Sequence, residues 1–97
     1  MLDMKTILLL MAQYDCRAIV PIERVCADYF SHLTPARLLR KVAAGKIALP
    51  VVQLEDSQKA ERGVHIQDLA SWIDQRAAEA RHKLLEDCKK LQTKERA

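Results

Sequence analysis

Four cationic side chains lie close together in the middle of the chain, namely Arg37, Arg40, Lys41 and Lys46. No Asp or Glu occurs from residue 32 to residue 54, whereas residues 55–75 carry five acidic and two basic side chains. Phosphates favour Lys and Arg because binding releases condensed counterions, and an acidic group on the same surface would repel the phosphate backbone. The stretch therefore predicts a surface that binds a polyanion, and double-stranded DNA is the partner we expect.

The cations fall on a short helix that we predict for residues 35–44. Thr34 is a suitable N-cap, Pro35 suits the first helical position, and Gly45 suits the left-handed residue that ends a helix. Helical spacing places one set of side chains inward, namely Leu38, Leu39, Val42 and Ala43. It places another set outward, namely Arg37, Arg40, Lys41 and Ala44.

The position of each side chain predicts its contact with DNA. Recognition helices point their N-terminal residues at base edges, so Arg37 is the candidate for a bidentate contact with guanine. Arg40, Lys41 and Lys46 are candidates for phosphate contacts, which position a protein without reading sequence. Thr34 could also donate to a phosphate. The plainer alternative is a solvated helix surface with no ligand.

Elements on both sides must hold this helix in place. A helix over residues 4–14 would turn Ile7, Leu8, Met11 and possibly Leu10 inward, although a buried strand through ILLLMA fits the same run. A short β-prone piece follows at residues 18–21. A second helix then runs to about residue 31, with an apolar face of Ile22, Val25, Cys26, Tyr29 and Phe30.

Residues 47–54 read as an edge strand, because Pro50 cannot donate to a central ladder. A hairpin returns the chain to residues 63–66, and its polar tip offers Lys59 and Arg62 as further DNA contacts, although Glu55, Asp56 and Glu61 dilute the charge. The predicted fold is mainly α with a small β-hairpin, which is the layout of a winged helix-turn-helix followed by a long C-terminal helix.

The last helix is predicted from residue 67 to about residue 91, so residues 1–74 would form the DNA-binding domain and residues 75–97 a helical extension. A narrow apolar stripe runs along it and predicts a homodimer; its residues are Ile73, Ala77, Ala80, Leu84, Cys88 and Leu91. The alternatives are a tail folded back on its own domain and a solvated helix held by pairs such as Glu79 with Lys83 and Glu86 with Lys90.

Composition narrows the class of protein further. The longest apolar run is far shorter than the roughly 20 residues of a membrane span, so we expect a cytoplasmic protein. Cys16, Cys26 and Cys88 have no metal-binding or disulfide spacing, and no catalytic signature occurs, so we expect no metal, cofactor, small-molecule substrate or enzymatic activity. Aromatic side chains adjoin apolar helical positions and are expected in the core; they are Tyr14, Tyr29, Phe30 and Trp72.

Three phrases in fixed order carry a resemblance to a known family: LLLMAQYDCRAIVPIERVCADYFSHLT, KVAAGKIALPVV and SQKAERGVHIQDLASWID. The sequence over residues 8–74 resembles the pyocin activator proteins, which are regulators of bacteria and prophages. More loosely, the middle of the chain is similar to the winged helix-turn-helix of excisionases and MerR-type regulators. Asp15 and Cys16 stand where the family pattern leads us to expect glycines.

The resemblance implies sequence-specific DNA binding and transcriptional activation of phage-tail-like bacteriocin or prophage genes, with RNA polymerase as a further possible partner. It places DNA contacts at residues 34–46 and 57–62. Two other functions are compatible with the residues. One is an excisionase-like protein that bends DNA, and the other is a helical adaptor that binds proteins through its long last helix.

Overall fold

The computed structural model describes residues 4–54 and 61–95, with side chains of the last helix described as far as Lys90. The helices are α1 (Lys5–Gln13), α2 (Ile22–Tyr29), α3 (Pro35–Ala43) and α4 (Ile66–Glu95), and the strands are β1 (Ile19–Pro21), β2 (Val52–Gln53) and β3 (Arg62–His65). The prediction of a mainly helical chain with a small β element is confirmed. The hairpin tip, including Lys59, lies outside the described residues.

The strands form one antiparallel sheet in the order β1-β3-β2, with Val20 opposite Val64 and Val52 opposite Gly63. The edge position of β2 agrees with the prediction, but the strand predicted for residues 47–54 is wrong in length. Pro50 has no N–H to continue the ladder, and Leu49 is buried in the core instead of lying on a sheet face. The sheet is therefore small, and its middle strand leads directly into α4.

Gly63 lets β1 and β3 pack closely together. A Cβ at this position would lie 2.6 Å from both Ile19 Cγ2 and the carbonyl oxygen of Val20. Such contacts are well inside van der Waals separation, so the middle strand requires a residue without a side chain at this point.

The first helix packs one stripe of side chains against α4 and the core. Leu10 is buried and Ile7 and Met11 are half-buried, so the helix and not the alternative strand is present. The predicted inward position of Leu8 is wrong, because its side chain is 57% exposed. It lies next to Ile7 in sequence and so points about 100° away from the packed stripe.

The chain leaves α1 through a left-handed turn. The Cys16 N–H donates to the Met11 carbonyl at 2.7 Å, while Asp15 and Cys16 have φ angles of 54° and 59°. This bond is the six-to-one bond of a Schellman motif, whose left-handed residue is usually glycine. The two positions where glycines were expected therefore do adopt the conformation that favours glycine.

The core joins all four helices to the sheet, and its fully buried members are Val20, Val25, Leu38, Leu49, Val64 and Leu69. The predicted apolar face of α2 is confirmed, with Tyr29 half-buried. The buried Cys26 thiol donates to the carbonyl oxygen of Leu33 at 3.1 Å. This bond fixes the turn between α2 and α3.

The four aromatic side chains predicted for the core lie in it or pack against it, and three of them join α4 to the end of α2. The Phe30 and Trp72 ring centroids are 5.0 Å apart, and Tyr29 meets Trp72 edge-to-face at 6.4 Å. Tyr14 is also buried and donates its hydroxyl to Asp28 Oδ2 at 2.6 Å. Burial, together with the neighbouring Asp28 carboxylate, raises the pKa of Tyr14 above its usual value.

The last helix is about 45 Å long at 1.5 Å per residue and extends beyond the rest of the protein. The radius of gyration of 17.2 Å exceeds the roughly 13 Å of a compact domain of this size. Along this helix Arg76 pairs with Glu79, and His82 Nε2 lies 3.1 Å from Glu86 Oε1, so these two carboxylates have partners other than the predicted Lys83 and Lys90. Within the described part of the chain, no helix combines the length and apolarity needed to cross a bilayer.

Candidate nucleic-acid interface

Helix α3 is defined at both ends by the residues that the sequence singled out. The Thr34 hydroxyl accepts a hydrogen bond from the Arg37 N–H at 3.3 Å, and Pro35 is the first helical residue. Gly45 has a φ of 75°, and the Lys46 N–H donates to the Lys41 carbonyl at 2.9 Å, which completes a Schellman cap. The caps fix the two ends of the helix and the position of Lys46 just after it.

The outward face of α3 is cationic. Arg37, Arg40 and Lys41 are exposed, while Leu38 is fully buried and anchors the opposite face. The predicted inward position of Ala43 is wrong, because it lies at the edge of the packed stripe and is exposed. The predicted outward positions are confirmed, and α3 itself contains no acidic residue.

None of the α3 cations is paired with a carboxylate among the residues that the structure describes. The Arg76–Glu79 ion pair and the His82–Glu86 contact lie within α4, and neither involves a cation of α3. The guanidinium and ammonium groups of α3 therefore keep their donors available for an external ligand. This arrangement suits phosphate oxygens, which accept charge-assisted hydrogen bonds from Arg and Lys.

Two of these cations line a cleft between the end of α3 and helix α4. The cleft measures about 370 Å³, and Lys41 and Lys46 contribute to one wall. His32 comes from the α2–α3 turn, Arg76 projects from α4, and Phe30 and Trp72 contribute aromatic surface. The Glu79 carboxylate is also present, where it accepts a 3.0 Å hydrogen bond from Arg76.

Sequence reasoning missed Arg76 and His32 as residues that line this cleft. Arg76 follows α3 by more than thirty residues, and the packing of Trp72 on Phe30 helps to bring that part of α4 beside Lys41 and Lys46. A signal was nevertheless present, since Trp72 and Arg76 are four residues apart and must share one helix face. The predicted core position of Trp72 therefore indicates that Arg76 lies on the face of α4 that packs against the rest of the protein.

The hairpin cation Arg62 lies in a different place. It is half-buried at the start of β3 and lines a shallow depression of about 80 Å³ together with Arg17, Ile19 and Glu61. The described residues do not bring Arg62 into the cleft beside α3. Lys59, the other predicted hairpin contact, lies outside the described residues.

The six residues of the predicted dimer stripe differ in their burial. Ile73 packs against the core and Ala77 is half-buried, whereas Ala80, Leu84 and Cys88 are exposed. The side chain of Leu91 falls outside the described region. Most of the stripe is therefore available to another molecule.

Most of this architecture lies within a region that matches a known protein family. A family model described as "Pyocin activator protein PrtN" matches residues 6–80, which extend from α1 past the cleft and into the exposed part of α4. No curated protein and no solved structure is similar enough to match the chain. The matched range includes α3, its caps, Arg62, Arg76 and the first half of the stripe.

Proposed function

Since this chain belongs to the pyocin activator family, we propose that it binds promoter DNA and activates transcription of phage-tail-like bacteriocin or prophage genes. In this proposal α2 and α3 act as a helix-turn-helix, with α3 in the major groove and the β2–β3 hairpin as the wing. The protein is not an enzyme, works in the cytoplasm and binds DNA as a homodimer. Activation would follow from contact with RNA polymerase.

One observation carries the proposal: the exposed face of α3 is cationic, and its cations have no carboxylate partners among the described residues. Arg37 would read a base edge from the first turn of α3, where Thr34 fixes the backbone. Arg40, Lys41 and Lys46 would contact phosphates. The cleft adds Arg76 and His32 to that phosphate-binding surface.

A salt titration tests the DNA-binding part. With about eight phosphates contacted by a dimer, the logarithm of the affinity should fall against the logarithm of salt concentration with a slope near about −7. Fluorescence anisotropy with labelled promoter fragments would measure it. Arg40→Ala should make the slope shallower, whereas Arg81→Ala, an equal change of charge on the exposed part of α4, should leave it unchanged.

A promoter reporter separates activation from a purely architectural role. An activator should raise expression from the bound promoter, and Arg37→Ala should abolish the increase. DNA binding that bends the fragment but leaves the reporter unchanged would favour the excisionase-like alternative. Absence of any salt-dependent DNA affinity would reject both and leave the adaptor function.

A further inference from the structure

The distal half of α4 stands clear of the core formed by the described residues. Every residue from 78 to 90 is exposed, including Leu84 and Leu85 at 63% and 61%. The Arg76–Glu79 ion pair at the start of this segment contributes only about 0.2–0.5 kcal/mol at such exposure. A helix of this length without tertiary packing is marginal in water, so the segment requires a partner surface.

The exposed stripe continues the stripe that already holds α4 to its own domain. Ile66, Leu69 and Ile73 face the core, and Ala77, Ala80 and Leu84 follow at steps of three or four residues on the same face. The domain therefore lies on the stripe side of α4 as far as Ile73. Beyond that point the same face is open.

This geometry decides the direction in which two α4 helices can pair. In a parallel pair the two domains would stand at the same level, between helices whose axes must be about 8–10 Å apart. There is no room for them there. In an antiparallel pair each domain lies beyond the end of the other helix, and the stripes can meet.

We propose that the chain forms an antiparallel homodimer through α4, with the two-fold axis at Leu84. Leu84 then faces its own copy, Ala80 faces Cys88 of the second copy, and Ala77 lies opposite position 91. The small residues thus face the larger ones. Glu95 of one copy comes level with Ile73 of the other, where the domain of the other copy begins.

Charge on the flank of the stripe favours the same arrangement. Lys83 and Asp87 are exposed and lie on one flank of α4. In an antiparallel pair like flanks meet, which brings Lys83 of each copy within about 3 Å along the axis of Asp87 of the other. The pairing occurs twice by symmetry. Formation of the dimer does not depend on DNA, but its use at an operator rests on the proposed function.

Disulfide trapping tests the direction directly, in a Cys16→Ser background that leaves Cys88 and the buried Cys26. Two Cys88 residues would be about 12 Å apart along the antiparallel axis, too far for a bond, so mild oxidation should leave the chain uncrosslinked. Adding Ala80→Cys should produce a covalent dimer through Cys88. Removing Cys88 from that variant, as Cys88→Ser, should abolish the crosslink.

Leu84→Cys in the Cys16→Ser/Cys88→Ser background should crosslink at the two-fold axis, and His82→Cys on the opposite helix face should not. Ready crosslinking through Cys88 alone would overturn the antiparallel direction. A sedimentation mass of one chain, with no crosslink at Leu84→Cys, would overturn the dimer. Mobility-shift assays on the same proteins keep the two proposals apart, because a monomer that binds DNA would leave the proposed DNA binding intact and reject only the dimer.

Discussion

At the scale of single residues, Arg37 and Lys46 have different positions and should have different effects on DNA binding. Arg37 projects from the first turn of α3, whereas Lys46 follows its C-terminal cap. We predict that Arg37→Ala costs about 1–3 kcal/mol on the preferred sequence and relaxes base preference. Lys46→Ala should weaken all sequences equally. Affinities for the preferred site and for a scrambled site of equal length would measure both effects.

Neither substitution should disturb the fold, because both side chains are exposed and unpaired in the described residues. Thermal unfolding therefore serves as the control. Equal losses on preferred and scrambled DNA from both variants would contradict the assignment of Arg37 to a base and Lys46 to a phosphate.

A second prediction concerns the turn after α1, where Cys16 has a φ of 59°. A left-handed conformation costs an ordinary L-residue about 1–2 kcal/mol, and glycine avoids that cost but loses more entropy on folding. Cys16→Gly should therefore raise the free energy of unfolding, by about 0.5–1 kcal/mol. Urea unfolding would measure the change. Cys16→Ser removes the thiol but keeps the strain, so it should be neutral.

The sequence predicted the caps of α3 because Thr, Pro and Gly have strong and local conformational preferences. It also predicted the exposure of Arg37, Arg40 and Lys41, since helical spacing fixes which side chains oppose Leu38. It did not predict the part that Arg76 and His32 play, because their position depends on how α4 packs against the α2–α3 turn. The spacing of Trp72 and Arg76 shows that they share one helix face, but it does not show which other part of the chain that face meets.

At the scale of elements, the sheet depends on the close approach of β1 and β3 at Gly63. A methyl group there would meet both Ile19 and the Val20 carbonyl at 2.6 Å. We predict that Gly63→Ala destabilises the fold by about 1–3 kcal/mol, because strands must separate to admit it. Chemical denaturation would measure the loss.

Gly45→Ala is the matched control, since a Cβ at Gly45 meets nothing within 4 Å and only the positive φ is unfavourable. Its cost should be about 1 kcal/mol, from the backbone alone. A loss at Gly63 no larger than that at Gly45 would argue against a steric requirement in the sheet.

The elements were predictable where one periodicity dominated and less so elsewhere. Helices α2 and α3 followed their apolar spacing, and α4 followed its run of helix formers without Gly or Pro. The strand predicted for residues 47–54 is only two residues long, because Leu49 is buried in the core. Helix α1 is apolar on several faces, so periodicity could not determine whether Leu8 or Leu10 is buried. Packing against α4 determined it.

At the scale of the whole molecule, the proposed dimer sets a spacing for DNA sites. The clefts lie beside residues 72–79 of α4, so an axis at Leu84 separates them by about 26 Å along the paired helices, before any sideways offset. That distance is compatible with two half-sites one helical turn, or about 34–36 Å, apart on one face of the duplex. The footprint should accordingly be two-fold symmetric.

Inserting five base pairs between the half-sites should reduce affinity more than about tenfold, because one half-site then rotates to the opposite face of the DNA. An insertion of ten base pairs restores the face and should recover part of the loss. Titrations of three operator fragments would measure this. A response to length alone, with no dependence on helical phase, would contradict simultaneous binding by two rigidly joined domains.

The buried Cys26 thiol can report on local opening of the protein. An alkylating reagent can react directly with the exposed Cys16, but it can react with Cys26 only after the turn that contains Leu33 has opened. The rate at which Cys26 is modified therefore reports the small fraction of molecules in which α3 has separated from α2. A ligand that holds α2 and α3 together should slow the modification of Cys26 as the fraction of protein bound to it increases.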